Sequence, residues 1–205
     1  MQMKKWLSIG AVAALLFAGQ AHAAPKFFYR AGQITYIAVP GEHLQVPIYI
    51  FASATEGGVS AIQSADGLFS GGVRVSLASP VTGGTIQSVT ADPSWDGSQL
   101  PTIIGDSAQL YADHASGTGP GALPDGDGKI KLGTFEIVVG TSPDNLIHFD
   151  LQDHSAGSSE VVGYDGTEFD GDIAAGQFTI QVPEPASCGV ILAGLVVLTR
   201  RRREM

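Results

Sequence analysis

The chain has 205 residues, a formal net charge of −9 and one cysteine, Cys188. This length suits a single domain with a sizeable core. Between Ala24 and Gln181 five basic residues face eighteen acidic ones, a net charge of −13 that excludes nucleic acid and disfavours anionic lipid headgroups. The same segment lacks cysteine, which excludes disulfides and thiol chemistry there.

The N-terminus reads as a targeting segment. Lys4 and Lys5 form a positive n-region, Trp6 to Gly19 an apolar h-region, and Ala21-His22-Ala23 a small-x-small site for signal peptidase. Cleavage after Ala23 leaves Ala24 as the first mature residue; the alternative is an uncleaved N-terminal anchor.

From Ala24 to Gln181 the pattern has period two, broken by Gly, Pro, Asp and Ser clusters. Leu44, Val46, Ile48 and Ile50 alternate with Gln45, Pro47 and Tyr49, as in a half-buried strand. Pro47 places that strand at an edge or beside a bulge. Val73, Val75 and Leu77 mark the next strand. Ile130 and Leu132 followed by Phe135, Ile137 and Val139 mark another, with a register change around Gly133. Ile147, Phe149 and Leu151 alternate with His148, Asp150 and Gln152, and Phe178, Ile180 and Val182 close the domain. Shorter candidates lie at Gln33 to Val39, Thr85 to Thr90, Ala108 to Ala112 and Glu160 to Gly163. Turn signals at Pro40-Gly41, Gly83-Gly84, Asp127-Gly128 and Asp165-Gly166 separate the runs, and Ser116 to Gly128 reads as a long surface loop. No 3.6-residue apolar stripe stands out in this segment. Eight or nine such strands predict an all-β, antiparallel sandwich of the jelly-roll kind over 24–181.

Candidate chemistry is sparse. There is no Gly-x-Ser-x-Gly, phosphate loop or dinucleotide fingerprint. His148, Asp150, Gln152 and His154 share one strand face, where a bend can bring two histidines and a carboxylate to a metal; the solvent side of an ordinary strand is the simpler reading. Asp125-Gly126-Asp127-Gly128 lacks the remaining oxygen ligands of a calcium loop and reads as a turn into Lys129. Asp165, Glu168, Asp170 and Asp172 put four carboxylates within eight positions, and calcium bridging them is the expected metal chemistry. Trp95, in Asp92-Pro93-Ser94-Trp95-Asp96-Gly97, is the one tryptophan after Ala24. It is either an exposed platform for stacking on a sugar or a ring packed over the core.

The C-terminus is a second address. Val182-Pro183-Glu184-Pro185 is followed by an apolar stretch from Ala186 to Thr199 and then by Arg200-Arg201-Arg202-Arg203. The two prolines preclude helix in the first element. The apolar stretch would rise about 21 Å as a helix, short of a ~30 Å hydrocarbon core, so thinning or snorkelling arginines must make up the difference. The arginines favour a cytoplasmic end by the positive-inside rule. This layout resembles the sorting tail of PEP-CTERM proteins, which implies export, transient insertion in the inner membrane and processing by an exosortase. An ordinary tail anchor that is never cut is the alternative. On that resemblance the chain divides into a signal peptide (1–23), a sandwich domain (24–181) and a sorting signal (182–205), the last with its motif at 182–185, membrane segment at 186–199 and arginine stop at 200–203.

A second resemblance lies inside the domain. Pro40-Gly41-Glu42-His43-Leu44-Gln45-Val46-Pro47-Ile48 is similar to the opening hairpin of cohesin-like domains, Gly72 to Leu77 to their next core strand, and Asp127-Gly128-Lys129-Ile130-Lys131-Leu132-Gly133-Thr134-Phe135 to a later one. The resemblance implies the nine-stranded jelly-roll sandwich shared by cohesins and several carbohydrate-binding modules. The chain departs from it at Ser76-Leu77-Ala78-Ser79-Pro80, where the family carries aliphatic-x-Tyr-Asp-Pro, the element associated with dockerin recognition. Together these features lead us to expect a non-enzymatic protein of the cell surface or extracellular polysaccharide matrix of a bacterium with an outer membrane. A carbohydrate-binding or adhesion module is the alternative, and a glycan-active hydrolase a third reading.

Overall fold

The computed structural model describes residues 24–79, 82–115, 119–155 and 160–184. Residues 1–23, read above as a signal peptide, Pro185, the apolar stretch 186–199 and the arginines 200–203 lie outside them. Among the described residues no helix is long and apolar enough to cross a membrane.

Twelve strands run in chain order: β1 (Phe27–Ala31), β2 (Thr35–Ile37), β3 (His43–Ala52), β4 (Leu68–Ser79), β5 (Gly84–Ala91), β6 (Gln99–Ile104), β7 (Ser107–Asp113), β8 (Lys129–Val139), β9 (Leu146–Gln152), β10 (Val162–Gly163), β11 (Ile173–Ala174) and β12 (Gly176–Gln181). A short helix, α1 (Gly58–Ser64), follows β3, and a 3₁₀ turn covers Asp170–Asp172. One sheet has the order β11-β1-β3-β8-β5, the other β2-β12-β9-β4-β7-β6 with β10 on β4. Most pairs are antiparallel, as the alternation predicts, but β1–β11 and β2–β12 are parallel. The fold is a β-sandwich.

Its core follows directly from period two. Val46, Ile48 and Ile50 from β3, Val73 and Val75 from β4, and Ile147, Phe149 and Leu151 from β9 all turn inward and are buried. Phe149 and Phe178 stack at 5.0 Å with an interplanar angle of 4°, and Tyr36 meets Phe178 edge-on at 5.9 Å. No crosslink assists them, so burial of these side chains carries the fold.

Gly133 sits at the expected register change: β8 pairs with β3 at Ile48–Gly133 and then Tyr49–Lys131, leaving Leu132 as the extra residue. The bulge turns Leu132 and Gly133 inward together. A side chain at 133 would strike the Thr90 carbonyl and Leu110, so this position requires glycine. Pro47 lies beside a bulge, one of its two expected settings: the register shifts between Ile48 and Tyr49, although β3 lies inside its sheet and not at an edge. The Pro47 carbonyl accepts from Gly32 N at 2.8 Å, and β1 has already ended at Ala31 opposite Ile48. Its missing donor therefore faces the end of β1 and costs no ladder bond.

The strand β6 was not foreseen because all six of its residues are exposed, so no alternation marks it. The helix α1 spans only 7 residues, too few to show a stripe. At the other end, Val182 is buried and donates its N–H to the Asn145 carbonyl at 2.8 Å, so core packing continues one residue into the expected sorting motif. We expect Phe149→Ala to destabilise the domain by about 3–5 kcal/mol, measured as a lower urea midpoint at unchanged slope.

Candidate functional site

Two arrangements stand out, one on the surface and one buried. On the outer face of the β1-β3-β8 sheet, the register aligns Arg30, Tyr49 and Lys131 in one row and Phe28, Phe51 and Lys129 in the next. The Arg30 guanidinium lies 4.1 Å from the Phe51 ring centroid and 5.7 Å from that of Phe28. Such stacking holds the planar cation against aromatic faces while its edge stays free to donate. Lys129 pairs with Asp127 at 3.0 Å and Lys131 with Asp92 at 3.1 Å. Arg30 forms no ion pair among the described residues, and it is exposed. Phe28, Arg30, Tyr49 and Lys129 line an open cleft of ≈ 460 Å³ whose other wall includes Ile34 and Gln177. Half-buried rings beside unsatisfied donors suit a ligand with both apolar faces and hydroxyl or carboxylate edges.

The buried arrangement joins three chain segments. Asp153 follows β9, Glu160 precedes β10 and Asp170 opens the 3₁₀ turn, and one carboxylate oxygen from each lies within 4.8 Å of the others. Glu160 is only 7% exposed. It accepts from His154 Nδ1 at 3.2 Å and from Ser155 N at 3.3 Å, while its backbone carbonyl accepts from the Ser70 hydroxyl at 2.8 Å. Asp170 accepts from Val161 N at 3.1 and 3.3 Å, which closes the hairpin on the cluster. Oδ1 of Asp153 is buried without a hydrogen-bond partner, and so is the hydroxyl of Tyr29 on β1. Burial, then the charge of Glu160 and a side-chain hydrogen bond with it, then the charge of Asp170, push the Asp153 carboxyl up from 3.8 to about 6. Burial also raises Asp170. Tyr29 is pushed far above its ordinary range by burial and then by Asp153, Asp170 and Glu160 in turn, which places its hydroxyl in the field of all three.

In fold the chain is similar to the third cohesin of ScaC from Acetivibrio cellulolyticus, solved in complex with the ScaB dockerin. The TM-score is 0.52 at 13% identity, over 77% of this chain and 99% of that one. The non-cellulosomal cohesin of the archaeon Archaeoglobus fulgidus aligns over 80% of this chain and 97% of its own, with 19% identity and a TM-score of 0.46. A type II cohesin domain from the Acetivibrio cellulolyticus cellulosome aligns over 77% and 95%, with 8% identity and a TM-score of 0.48. No protein-family model matches the chain, and no curated protein does either. At such identities the first likeness establishes the fold alone: the domain is a cohesin-like β-sandwich.

The residues singled out in the sequence are only partly brought together. Trp95 is 1% exposed and donates Nε1–H to the Lys131 carbonyl at 2.9 Å, so it packs in the core and offers no face to a sugar. Of the acidic run, Asp170 alone joins the carboxylate cluster. Asp165 caps its own turn by accepting from Thr167 N at 2.8 Å, Glu168 is exposed opposite Val162, and Asp172 pairs with Lys26 at 2.8 Å. These four do not converge on one point, because the hairpin turns successive carboxylates in different directions. The His148 face is ordinary cross-strand pairing: His148 meets Thr179, Asp150 accepts from Gln177 and Gln152 accepts from Arg74. Asp125 accepts from the N–H groups of Asp127 and Lys129, both at 2.9 Å, in the expected turn. Within the expected sorting motif, Pro183 is half-buried, and exposed Glu184 accepts from Asn145 Nδ2 at 3.2 Å. Asp153, Glu160 and Tyr29 escaped the sequence reading: the carboxylates are near one another in the chain but sit at the ends of different elements, and Tyr29 comes from distant β1.

The raised Asp153 carboxyl has a defined consequence for pH. The folded state holds a proton that the unfolded chain has lost between about pH 4 and 6, so the group destabilises the fold above that window and ceases to do so below it. Glu136, held low by the Ser88 hydroxyl and then by His43, acts in the opposite sense at still lower pH. In chelator-containing buffer the melting temperature should rise from pH 7 to pH 5, and Asp153→Asn should raise it at pH 7 and flatten that slope.

Proposed function

We propose that the chain is an exported, non-enzymatic recognition module of cohesin-like fold that binds polysaccharide of the extracellular matrix through the Arg30 cleft. The observation that carries this reading is the exposed guanidinium stacked on Phe51 and Phe28 beside Tyr49. Aromatic rings supply flat apolar faces for pyranose rings, and the free edge of the guanidinium donates to hydroxyl or carboxylate oxygens. No carboxylate among the described residues lines the Arg30 cleft, so no acid–base pair of the glycosidase kind flanks a ligand bound there. The cohesin of the ScaC complex binds a dockerin, but the present chain replaces aliphatic-x-Tyr-Asp-Pro with Ser76-Leu77-Ala78-Ser79-Pro80, which favours a different ligand.

A second reading is a protein partner that pairs with the edge strand β6. Leu100, Ile103 and Ile104 on that strand are 59%, 44% and 60% exposed, as β-augmentation requires. For delivery, we infer that signal peptidase releases residues 1–23 and that an exosortase acts on the Val182-Pro183-Glu184-Pro185 tail from the inner membrane.

On a glycan array the processed domain should bind at least one polysaccharide, and Arg30→Ala and Tyr49→Ala should each weaken that binding about tenfold or more. Equal, negligible binding by all three would remove the sugar reading, and loss of a pulled-down protein in Ile103→Lys would point to β6 instead. Deletion of 185–205, which spares buried Val182, should leave the fold intact but abolish surface delivery. Recovered protein should also have an intact mass lacking Arg200 to Arg203.

A further inference from the structure

We propose that Asp153, Glu160 and Asp170 form a binding site for one calcium ion, with the Tyr29 hydroxyl beside it, and that the ion clips the two sheets together. The donors are all oxygen, the chemistry that selects hard cations. Two ligands of one ion can be no farther apart than twice the bond length, about 4.6–5.2 Å for calcium and about 4.2 Å for magnesium. Three carboxylate oxygens within 4.8 Å of one another lie inside that pairwise limit for calcium, and a small inward shift of the side chains would bring all three to bonding distance of one ion.

Two further observations point into the same space. Oδ1 of Asp153 is buried with no hydrogen-bond partner, and so is the Tyr29 hydroxyl on a residue only 2% exposed. Buried polar atoms are ordinarily satisfied, and one bound cation would account for both orphans beside three crowded carboxylates at a pH where protonation no longer relieves them. Lys26 is committed to Asp172, and His154 supplies a single contact to Glu160 at the rim. A divalent ion would neutralise most of the charge, bind the orphaned carboxylate directly and hold a water within reach of the phenol.

The position gives the ion a structural role. Asp153 extends from β9 in one sheet, while Asp170 leads into β11 and Tyr29 lies on β1 in the other. The ion would join the sandwich at the end where β11 and β12 cross between sheets. The acidic run anticipated in the sequence contributes one ligand, Asp170; the other two come from outside it.

The test uses the processed domain, stripped with chelator and titrated with CaCl₂. Calorimetry should show saturable binding of one ion per chain, and the melting temperature should rise by about 5 °C or more at millimolar calcium. Asp153→Asn and Glu160→Gln should abolish both while keeping a native near-ultraviolet spectrum. The double variant Asp165→Asn with Asp172→Asn should bind as the wild type does. Terbium offered instead of calcium should emit on tyrosine excitation, and the emission should vanish in Asp153→Asn. No saturable heat and no thermal shift in the wild type would overturn the proposal, as would undiminished binding in Asp153→Asn or loss of binding in the double variant.

Discussion

Burial between the two sheets is the constraint on which everything else rests. With no disulfide available, Val46, Ile48, Ile50, Val73, Val75, Phe149 and Phe178 must exclude water by packing alone. Each comes from a strand whose alternate residues face out, so a core of this kind dictates two sheets stacked face to face. It also dictates where glycine and proline are tolerated. Gly133 yields its side-chain space to Leu110 and the Thr90 carbonyl, and Pro47 turns its missing donor to the end of β1.

The sandwich leaves two kinds of polar problem, and they are handled differently. On the outer face, cations stack on rings or pair with single carboxylates in the presence of water, which makes that face cheap to reorganise around a ligand. At the buried end, Asp153, Glu160 and Asp170 crowd together where solvent screening is weak. The rise of Asp153 to about 6 expresses that repulsion, and protonation relieves it in the absence of a counter-charge. A domain carrying −13 tolerates a dispersed negative surface, but a concentrated, partly buried one calls for a proton or a bound cation.

Much of the architecture was legible because strand alternation is a local signal. The runs around Val46, Val75, Phe135 and Phe149 appear as strands with their apolar residues inward, and the bulge at Gly133 falls where the pattern slips. The strand β6 was invisible since both of its faces meet solvent, and α1 has too few turns for an apolar stripe to repeat. Site residues followed a different logic. Density along the chain suggested Asp165, Glu168, Asp170 and Asp172, yet a turning hairpin disperses neighbours as readily as it gathers them. Trp95 illustrates the same limit: its flanking turn residues suit a surface loop, but its ring closes over the core against His114 at 4.9 Å.

Composition and alternation alone thus determined an acidic, cysteine-free, all-β domain, because these properties are carried by each residue and its immediate neighbours. Only the folded chain decided which side chains meet: Arg30 over Phe51 from adjacent strands, and Asp153 with Glu160, Asp170 and Tyr29 from four separate segments. Those encounters depend on sheet order, register and the turns that join the elements, and no local pattern encodes them.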